Sequence, residues 1–579
     1  MSCVDVAVCG GGLGGLAVTL GLRQRGFDAH VYEAAPQLRT ATGTIVGLGS
    51  NAFTALDALD PRILPALLPR GSKNMNSVTC VKEDPQAPGQ PVNRIAHGHT
   101  FRWSEVQNVL ACLLPPEAVH CEHRVTGFTD TASQPGRQGR ITLHFKGQPD
   151  VYARMVVAAD GLRSALRAAL LPQDPGLRYL GHMNWNALLY NPEGSQVVEA
   201  HRPGDLLINI NAPPMDLDKM WTLMTYVIDA GGGYTFWQAR HLSETLAFTQ
   251  PAPQTSSSSS SSSSSKGPAV GSGSEPGAEG KGLSSSGAAA TPLASGKLPG
   301  EKEDMPQLVG GGMGVPGSKA RVLQLLADAG FEDVARVVQA TPEADIFERA
   351  MLDRIPLDEL GAGLSGAGGR LLLLGDAAHA MHSGPGQGAR MAFEDAHQLV
   401  EALQRHRDRL LGWQHLPSGA VAPQQQPTPP VEDVHEGLHG LQLRPTASKA
   451  QPDSARALGA GLEPASAGEQ PSGDSAGSAP RDAERTSDEA GDAAAMADVA
   501  REYDEARLVR VCRVARVAAE CSGLRELTAH LRSAAGVTSK EEALERLFTM
   551  STWLNKYPEC PRGDPDSVWY KPEAGTVAT

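Results

Sequence analysis

A run of glycines directly after a short apolar strand constrains this chain more than any other feature. Valines alternate with other residues over positions 4–8, and Gly10-Gly11-Gly12-Leu13-Gly14-Gly15 follows without a break. A helix-prone stretch then extends from Leu16 to about Arg25. In the pattern G-x-G-x-x-G, the first glycine permits a tight turn, the second lets backbone approach a pyrophosphate, and the third lets helix pack on strand. The run therefore predicts a turn whose following helix directs its N-terminus at phosphate charge.

The next predicted strand, Ala29 to Tyr32, ends at an acidic residue. Glu33 lies about twenty residues beyond the turn, where an acidic side chain accepts hydrogen bonds from a ribose hydroxyl group. An acid here favours an unphosphorylated adenosine ribose, so FAD or NAD over NADP. Because the chain contains 63 glycines, the glycine run alone is weak evidence. Strand, helix and Glu33 together make the prediction specific.

Two later strands also end in a glycine and an aspartate. Residues 155–159 predict a buried strand followed by Asp160-Gly161, and residues 370–374 predict another followed by Gly375-Asp376. Each carboxylate has a simpler explanation, because an acid after a buried strand can cap the next helix by accepting its unpaired N–H groups. The sequence leaves both explanations open for Asp160 and Asp376.

The glycine turn and these two elements together resemble those of FAD-dependent monooxygenases of the aromatic-hydroxylase type, which have the para-hydroxybenzoate hydroxylase fold. The resemblance implies that the FAD pyrophosphate is held by Gly10, Gly12, Leu13, Gly14 and Gly15. It also implies that Asp160 and Gly161 serve both FAD and a transient NADPH or NADH, and that Gly375 and Asp376 bind the ribityl chain. Neither later element is expected of an NAD dehydrogenase.

Smaller matches extend the resemblance along the chain. Arg102 and Gln107 lie where the family has a helix whose Arg or Gln touches the cofactor, and Val125 lies where its backbone contacts adenine. Gly386-Gln387-Gly388 resembles the loop that opens a helix whose N-terminus faces the flavin pyrimidine. A helix N-terminus at that position stabilises the negative charge of reduced flavin.

The loop beside the expected flavin departs from the family pattern at two positions. Ser383 occupies the usual proline position, and Arg390 replaces the usual asparagine. These changes bear on oxygen activation rather than on FAD binding. His382 is the one titratable group in the loop that would suit a proton relay, although a structural or exposed histidine is the simpler interpretation.

The resemblance implies an activity. FAD stays bound, NADPH or NADH reduces it and leaves, and a flavin C4a-hydroperoxide transfers one oxygen atom of O2 by hydroxylation or epoxidation. The implied substrates are small aromatic, heteroaromatic or isoprenoid-like molecules, and the sequence does not select among them. Two alternatives remain open: a reductase or other non-oxygenating flavoprotein of the same fold, and a non-catalytic FAD-binding scaffold.

The expected fold class is α/β: an FAD-binding Rossmann-like domain of the glutathione-reductase type, interleaved with an antiparallel-sheet substrate domain. Two tracts rich in Ser, Gly, Pro and Ala bury too little apolar surface to fold, so we expect disordered insertions there. The predicted boundaries are FAD-binding domain 1–75, 100–175, 369–413 and a helical 496–579; substrate domain 76–99, 176–248 and 319–368; insertions 249–318 and 414–495.

Within the substrate domain, three segments read as antiparallel strands, and residues 320–338 read as a helical stretch. Four residues are candidates for an aromatic pocket above the flavin, although such aromatics are more often plain core: Asn184, Trp185, Tyr234 and Trp237. The tail from 522 to 570 contains helical stretches, notably 540–550, and is expected to pack over the FAD-binding domain or to join subunits.

Composition excludes several classes of partner and site. The net charge is −14, with 51 basic and 65 acidic residues, which argues against nucleic acid. Eight scattered cysteines form no Cys-x-x-Cys pair, so we expect reduced thiols and no metal site. No run approaches the length of a membrane span. Because the first strand starts at Val4, we expect no leader peptide and a cytoplasmic location, with an organellar one not excluded.

Overall fold

The computed structural model describes residues 3–38, 44–87, 89–95, 98–130, 141–191, 205–211, 221–243, 312–410, 413, 479–522 and a few residues between 529 and 558. The strands are β1 Cys3–Cys9, β2 Ala29–Tyr32, β3 Ile45–Leu48, β4 Ser72–Lys73, β5 Asn76–Val81, β6 Gln90–Ile95, β7 His99–Arg102, β8 Val119–His120, β9 Val125–Asp130, β10 Ile141–Phe145, β11 Gln148–Ala158, β12 Leu177–Tyr190, β13 Leu206–Ile210, β14 Leu223–Asp229, β15 Tyr234–Leu242, β16 Gly312–Met313, β17 Phe347–Arg354, β18 Ser365–Gly366 and β19 Leu371–Leu373. The α-helices are α1 Leu13–Gln24, α2 Ser50–Leu59, α3 Ile63–Leu67, α4 Trp103–Cys112, α5 Ala165–Leu170, α6 Ser318–Asp328, α7 Glu332–Ala340, α8 Asp376–His379, α9 Gly388–Arg405 and α10 Ala479–Ala519.

The first sheet has the order β18-β19-β11-β1-β2-β8. Its central strands β19, β11, β1 and β2 run parallel, so their carboxyl ends lie at one edge. The long strand β11 also pairs antiparallel with β10, which pairs with β9. Apolar residues of β1, β11 and β19 are fully buried against α1, α2, α9 and α10, and they form the largest core of the molecule. This order places the ends of three motif-bearing strands side by side.

The second sheet has the order β16-β17-β12-β15-β14-β13-β5-β6 and is antiparallel except where β13 pairs with β5. One face packs against α6 and α7, with Trp185 and Trp237 in a core that also contains Val322 and Val337. The opposite face lies toward the first sheet: Ile45 of β3 contacts an apolar cluster that includes Ile228 and Phe236. A small sheet, β3-β7-β4, lies between the two.

The described helices differ from the sequence expectations at three points. The stretch 320–338 is two helices rather than one, because Gly330 adopts a positive φ of 67° between α6 and α7. Strand β16 and the start of α6 fall within the last residues of the predicted first insertion. Helix α10 begins at Ala479, inside the predicted second insertion, since the alanine-rich end of that tract is strongly helix-forming and buries Ala495. The rest of both tracts lies outside the described residues.

The C-terminal part of the described chain packs on the first domain. The Tyr557 hydroxyl hydrogen-bonds the Nδ1 atom of His397 at 2.6 Å, and the Arg510 guanidinium lies 4.4 Å from the centre of the Trp553 ring. The predicted helix 540–550 lies outside the described residues. None of the described helices combines the length and apolar composition that crossing a bilayer requires.

Candidate functional site

The glycine turn joins β1 to α1 and contains two kinds of glycine. Gly10 has φ 110°, and a Cβ atom on Gly15 would overlap the Gly10 carbonyl oxygen. The surrounding backbone therefore leaves no room for a side chain at either position. A Cβ atom on Gly12 would meet no atom within 4 Å. Gly12 is the N-cap of α1 and has no side chain to cap the first N–H groups, and the first turn holds no acid. The turn therefore presents free N–H groups to an open space that suits a phosphate.

Two side chains clamp the Gly11 peptide from opposite sides. The Gly11 N–H donates to Glu33 Oε2 at 2.7 Å, and the Gly11 carbonyl accepts from Gln107 Nε2 at 2.6 Å. Glu33 Oε1 accepts from the Ala35 N–H at 2.8 Å. Gln107 is buried, and its Oε1 atom has no partner among the described residues. Glu33 and Gln107 therefore both lie against the glycine turn.

Arg102 and Val125 lie at the sides of this cleft. The Arg102 guanidinium bonds Glu105 at 2.9 Å and lies 4.4 Å from the centre of the Tyr234 ring in β15. It therefore joins the small sheet to the second sheet and does not contact the glycine turn. Val125 opens β9 and is half-buried. His123, two residues earlier, donates its N–H to the Glu33 carbonyl at 2.8 Å, which brings this segment to the ribose end of the predicted site.

The Asp160 carboxylate is used within the chain. Its Oδ1 atom accepts from the Ser164 hydroxyl at 2.5 Å, and its Oδ2 atom accepts from the N–H groups of Ala165 and Leu166 at 2.8 and 3.2 Å. Burial raises the pKa of Asp160. The helix-cap explanation therefore accounts for this carboxylate. Gly161, in contrast, has φ 78° and leaves open space beside it, since a Cβ atom placed there would meet nothing within 4 Å.

Arg167, in the helix that Asp160 caps, is completely buried. Its Nε atom bonds Asp174 at 2.5 Å, and its Nη1 atom donates to the Ala378 carbonyl at 2.5 Å. The side chain therefore ties the Asp-Gly element to the end of α8, the helix that the Gly-Asp element opens. No local pattern in the sequence indicates this contact, because it depends on where β19 lies.

The Gly-Asp element follows β19 and lies beside the glycine turn. Gly375 has φ 62°, and a Cβ atom on Gly14 would lie 2.6 Å from Leu374 Cδ2. The Asp376 side chain is exposed and makes no hydrogen bond in the described part of the chain. Burial of its surroundings still raises the pKa of Asp376, against the opposing charges of His379 and Arg349. The Asp376 carboxylate therefore keeps access to solvent although protein surrounds it.

A buried ion network fixes the Gly-Asp element from behind. Arg507 bonds Glu394 at 2.5 Å and Asp395 at 2.8 Å, and Arg510 bonds Glu394 at 2.6 Å; none of the four side chains is exposed. Asp395 also accepts from the Gly375 N–H at 3.0 Å. Burial would raise the pKa of Asp395, but His379 and Arg507 outweigh it and hold that pKa at about 2. The network anchors α9, α10 and the Gly-Asp turn together.

The loop before α9 closes the cleft. Cβ atoms on Gly386 and Gly388 would meet nothing within 4 Å, so both positions face open space. Gln387 is held by Asn51 through its Oε1 atom at 3.3 Å. The Arg390 Nε atom donates to the Gly47 carbonyl at 2.7 Å, and burial lowers the pKa of Arg390 to about 10. The N-terminus of α9 thus opens on the cleft, with Arg390 turned to β3.

His382 is buried rather than exposed. Its Nδ1 atom accepts from the Gly384 N–H at 3.0 Å, so the proton lies on Nε2, which has no partner among the described residues. Burial, Arg240 and His182 lower the pKa of His382 well below its usual range. The ring is therefore neutral and offers an N–H donor. A relay that requires the imidazolium ion is not supported.

Two of the four candidates for an aromatic pocket belong to the core instead. Asn184 and Tyr234 point toward the first domain, but Trp185 and Trp237 lie on the opposite face and pack under α6 and α7. Adjacent residues of a strand point to opposite faces, so Asn184 and Trp185 never share one pocket.

The chain resembles a curated monooxygenase and a curated epoxidase in sequence, although no family model matches it. The aurachin C monooxygenase/isomerase of Stigmatella aurantiaca is 25% identical over 414 residues, which cover 69% of this chain and 80% of the relative. A chloroplastic zeaxanthin epoxidase of an Oncidium hybrid cultivar is 23% identical over 424 residues, which cover 69% of this chain and 49% of that protein. The chain therefore spans about half the length of the zeaxanthin epoxidases it matches.

Among solved structures, Klebsiella pneumoniae HpxO, complexed with FAD and uric acid, has the same fold. It aligns with a TM-score of 0.53 and 14% identity over 93% of this chain and 95% of HpxO. The α/β fold with an antiparallel second sheet is therefore confirmed.

Proposed function

We propose that this chain, a relative of the FAD-dependent monooxygenases, binds FAD and uses NADPH or NADH to insert one oxygen atom of O2 into a small molecule. Its relatives are named as a monooxygenase/isomerase and an epoxidase, and both match across more than two thirds of this chain. The cofactor assignment is supported by the shared fold with a protein solved with FAD.

One observation carries the cofactor proposal: β1 and β19 end at the same edge of one sheet, so that Gly12 and Asp376 lie on one cleft. Gly12, Gly386 and Gly388 each leave open space where a side chain would stand, and Gln107 leaves an acceptor atom unpartnered. These are the features that a bound nucleotide would fill. An elongated dinucleotide fits a cleft with a phosphate-binding turn at one end and a helix N-terminus at the other.

We assign roles to the residues that line this cleft. Gly12 and the first N–H groups of α1 would hold the pyrophosphate, and Glu33 retains acceptor capacity for the adenosine ribose after its two backbone hydrogen bonds. Asp376 would accept from ribityl hydroxyl groups, since it makes no hydrogen bond within the described chain. The departure from the sequence expectation is Asp160, whose carboxylate caps α5, so only the backbone near Gly161 is available to the nucleotide.

When bound, FAD supplies the electron transfer and the oxygen chemistry. The protein positions the cofactor and the substrate, sets the electrostatic environment and excludes water. The N-terminus of α9 stabilises a nearby negative charge by roughly 0.3–1 kcal/mol, and up to about 2 kcal/mol where it is partly buried. Its first turn holds no acid, so nothing there opposes that effect. Neutral His382 presents an Nε2–H group, and we assign it hydrogen bonding rather than proton abstraction.

The test separates three functions. The purified protein is examined for bound flavin by absorption and mass spectrometry, for NADPH and NADH oxidation with and without candidate substrates, and for label from ¹⁸O2 in the product. A monooxygenase gives substrate-stimulated oxidation and one labelled oxygen atom. Unlabelled, reduced product would indicate a reductase, and bound flavin without any turnover would indicate a scaffold; either result contradicts the proposal.

A further inference from the structure

Three histidines and two other aromatic residues form a cluster at the edge of the first sheet. No role assigned above uses their side chains. The cluster lies where β2, β8 and β10 meet, and its members are His30, Tyr32, His120, His123 and Phe145. The His120 ring stacks on two rings of β2, with its centre 5.2 Å from that of His30 and 4.8 Å from that of Tyr32. We call these five residues the histidine cluster.

Two rings of the histidine cluster share a hydrogen bond. His30 Nδ1 lies 3.0 Å from His120 Nε2, and His30 Nε2 lies 2.9 Å from Asp28 Oδ1. Because an ionised carboxylate only accepts hydrogen bonds, His30 Nε2 carries a hydrogen. When both rings are neutral, His30 Nδ1 is therefore the acceptor and the His120 Nε2–H group is the donor.

This hydrogen bond survives one added proton but not two. A first proton makes His30 an imidazolium ion beside the Asp28 carboxylate. Its Nδ1–H group then donates to a bare His120 Nε2, while the hydrogen of His120 moves to Nδ1. A second proton places an N–H group on both facing nitrogens, so neither can accept, and two positive rings repel each other. Both rings are only partly buried, so protons from solvent reach them.

The surroundings of the pair oppose a second charge. Burial lowers the pKa of His120, and the charges of His30 and His123 lower it further. Asp28 is shared with Arg23, whose Nη1 atom lies 3.7 Å from its Oδ1 atom. Other charged or titratable residues face the cluster or adjoin it in the chain: Cys3, Asp5 and Cys9 in β1, Tyr32 in β2, Glu33 after it, Glu117 before β8, and Cys121, Glu122 and Arg124 after β8.

The same strands hold Glu33, the acid at the ribose end of the proposed site. Strand β2 pairs with β8 at two residue pairs. The Glu33 N–H donates to the His120 carbonyl at 2.7 Å, and the Glu33 carbonyl accepts from the His123 N–H at 2.8 Å. Because this pairing is short, repulsion between the His30 and His120 side chains acts directly on the backbone that positions Glu33.

We propose that His30 and His120 form a pH-sensitive switch at the adenosine end of the cofactor site. While at most one ring is charged, their hydrogen bond holds β8 against β2 and keeps Glu33 in position. When both rings are protonated, the bond breaks, Glu33 loses this support, and FAD binds more weakly. This inference rests on the proposed function, because it concerns FAD affinity, but the hydrogen bond can also be tested in the flavin-free protein.

The direction of the pH effect follows from the form of the protein that binds protons more readily. Because the pKa of His120 with its hydrogen bond intact is lower than the ordinary value of about 6.5, acid favours the open form. FAD affinity and the free energy of unfolding should therefore be fully maintained above about pH 6.5. Both should decrease as the pH falls through the lowered pKa of His120.

The experiment is measurement of the FAD dissociation constant of the full-length protein from about pH 8 to about pH 5, by flavin fluorescence and calorimetry. We expect the wild type to bind FAD about tenfold more weakly at the lowest pH. In His120→Gln the amide can donate to or accept from His30 Nδ1 without taking up a proton. Its FAD affinity should therefore change by less than about threefold over the same range. His30→Gln tests the same bond from β2 and should respond as weakly.

His144→Gln is the matched control. His144 also bonds an acid, Asp150, at 3.1 Å, but its side chain is 39% exposed. This variant should keep the pH response of the wild type. The proposal is overturned if wild-type FAD affinity does not fall on acidification, if either His120→Gln or His30→Gln keeps the full response, or if His144→Gln loses it as well.

Failure of this inference and failure of the proposed function give different results. The free energy of unfolding of the flavin-free protein is measured by urea titration over the same pH range. If it falls more steeply in the wild type than in His120→Gln while no FAD binds at any pH, the histidine pair is pH-sensitive and the cofactor site is refuted. FAD binding with the same pH response in the wild type and in His120→Gln would support the cofactor site and refute the switch.

Discussion

Two pairs of arginines lie on opposite sides of the cleft and differ in their partners. Arg507 and Arg510, behind α9, are fully buried and bound by Glu394 and Asp395. Arg240 and Arg349, on the second sheet, are also largely enclosed but have no ion pair among the described residues. The first pair is satisfied within the chain and holds elements together. The second pair lacks carboxylate partners there: Arg240 bonds the Ser383 hydroxyl, and Arg349 lies 5.7 Å from the centre of the Phe347 ring.

The glycines near the cleft show a similar contrast, because some lie against neighbouring backbone and others face open space. Gly10 lies against the Ala159 carbonyl and Gly15 against the Gly10 carbonyl, so their lack of a side chain serves the fold. Gly12, Gly386 and Gly388 face open space, and in the proposed function that space is taken by the cofactor. Residues of one type therefore have structural or binding roles according to what surrounds them.

The largest expected effect comes from breaking the satisfied pair. Arg507→Met should lower the free energy of unfolding by about 3–5 kcal/mol, because Glu394 and Asp395 would remain buried without their partner. Denaturant titration of the FAD-free protein measures this. Arg501→Met, at an exposed position of the same helix, is the control and should leave the unfolding midpoint unchanged. A stable Arg507→Met protein would show that the network is not structural.

The filled and open glycines should respond differently to one methyl group. Gly15→Ala should destabilise the protein by roughly 1–3 kcal/mol, since its Cβ atom would overlap the Gly10 carbonyl. Gly12→Ala should fold with nearly unchanged stability and lose about tenfold or more in FAD affinity, because the methyl group enters the phosphate space. Thermal unfolding and flavin titration of both variants measure these effects. If the two variants have the same stability and the same FAD affinity, the different roles assigned to Gly15 and Gly12 are contradicted.

The Asp395 carboxylate predicts a pH dependence of stability. Its pKa is about 2 in the folded protein and about 3.9 when unfolded, so ionised Asp395 stabilises the fold above about pH 4. This contribution, roughly 2 kcal/mol, should be lost as pH falls from about 4 to 2. Urea unfolding of wild type and Asp395→Asn across that range measures the difference. If the difference in free energy of unfolding between the wild type and Asp395→Asn does not decrease as the pH falls, the ion-pair assignment is contradicted.

The smallest stability effect is expected from the second pair of arginines. Arg349→Met should change the free energy of unfolding by less than about 1 kcal/mol, or stabilise the protein, because it removes a charge that has no hydrogen-bond or ion-pair partner among the described residues and contacts only the Phe347 ring, at 5.7 Å. Denaturant titration beside Arg507→Met gives the comparison directly. A loss as large as that of Arg507→Met would show that Arg349 has a structural partner, and the contrast between the pairs would disappear.

The sequence predicts the strand ends that form the cleft better than it predicts the side chains that line it. The glycine turn, Glu33 and the Gly-Asp element are local patterns at strand ends, and parallel strands bring such ends together whatever the connections between them. Arg240 and Arg349 carry no motif, because their meeting depends on the pairing register of three distant strands. The sequence allows two roles for Asp160, and only the start of α5 at Ala165 decides for the cap. The separation of Asn184 from Trp185 follows from strand alternation alone.

The central claim is that one FAD molecule lies across the cleft from the Gly12 turn to Asp376. The most direct measurement is the FAD dissociation constant of the wild type, of Asp376→Ala and of Asp333→Asn, an exposed control on α7. We predict that the wild type is yellow, that the control has the same FAD affinity, and that Asp376→Ala folds normally but binds FAD about tenfold or more weakly. An Asp376→Ala protein that stays yellow with wild-type affinity would contradict it.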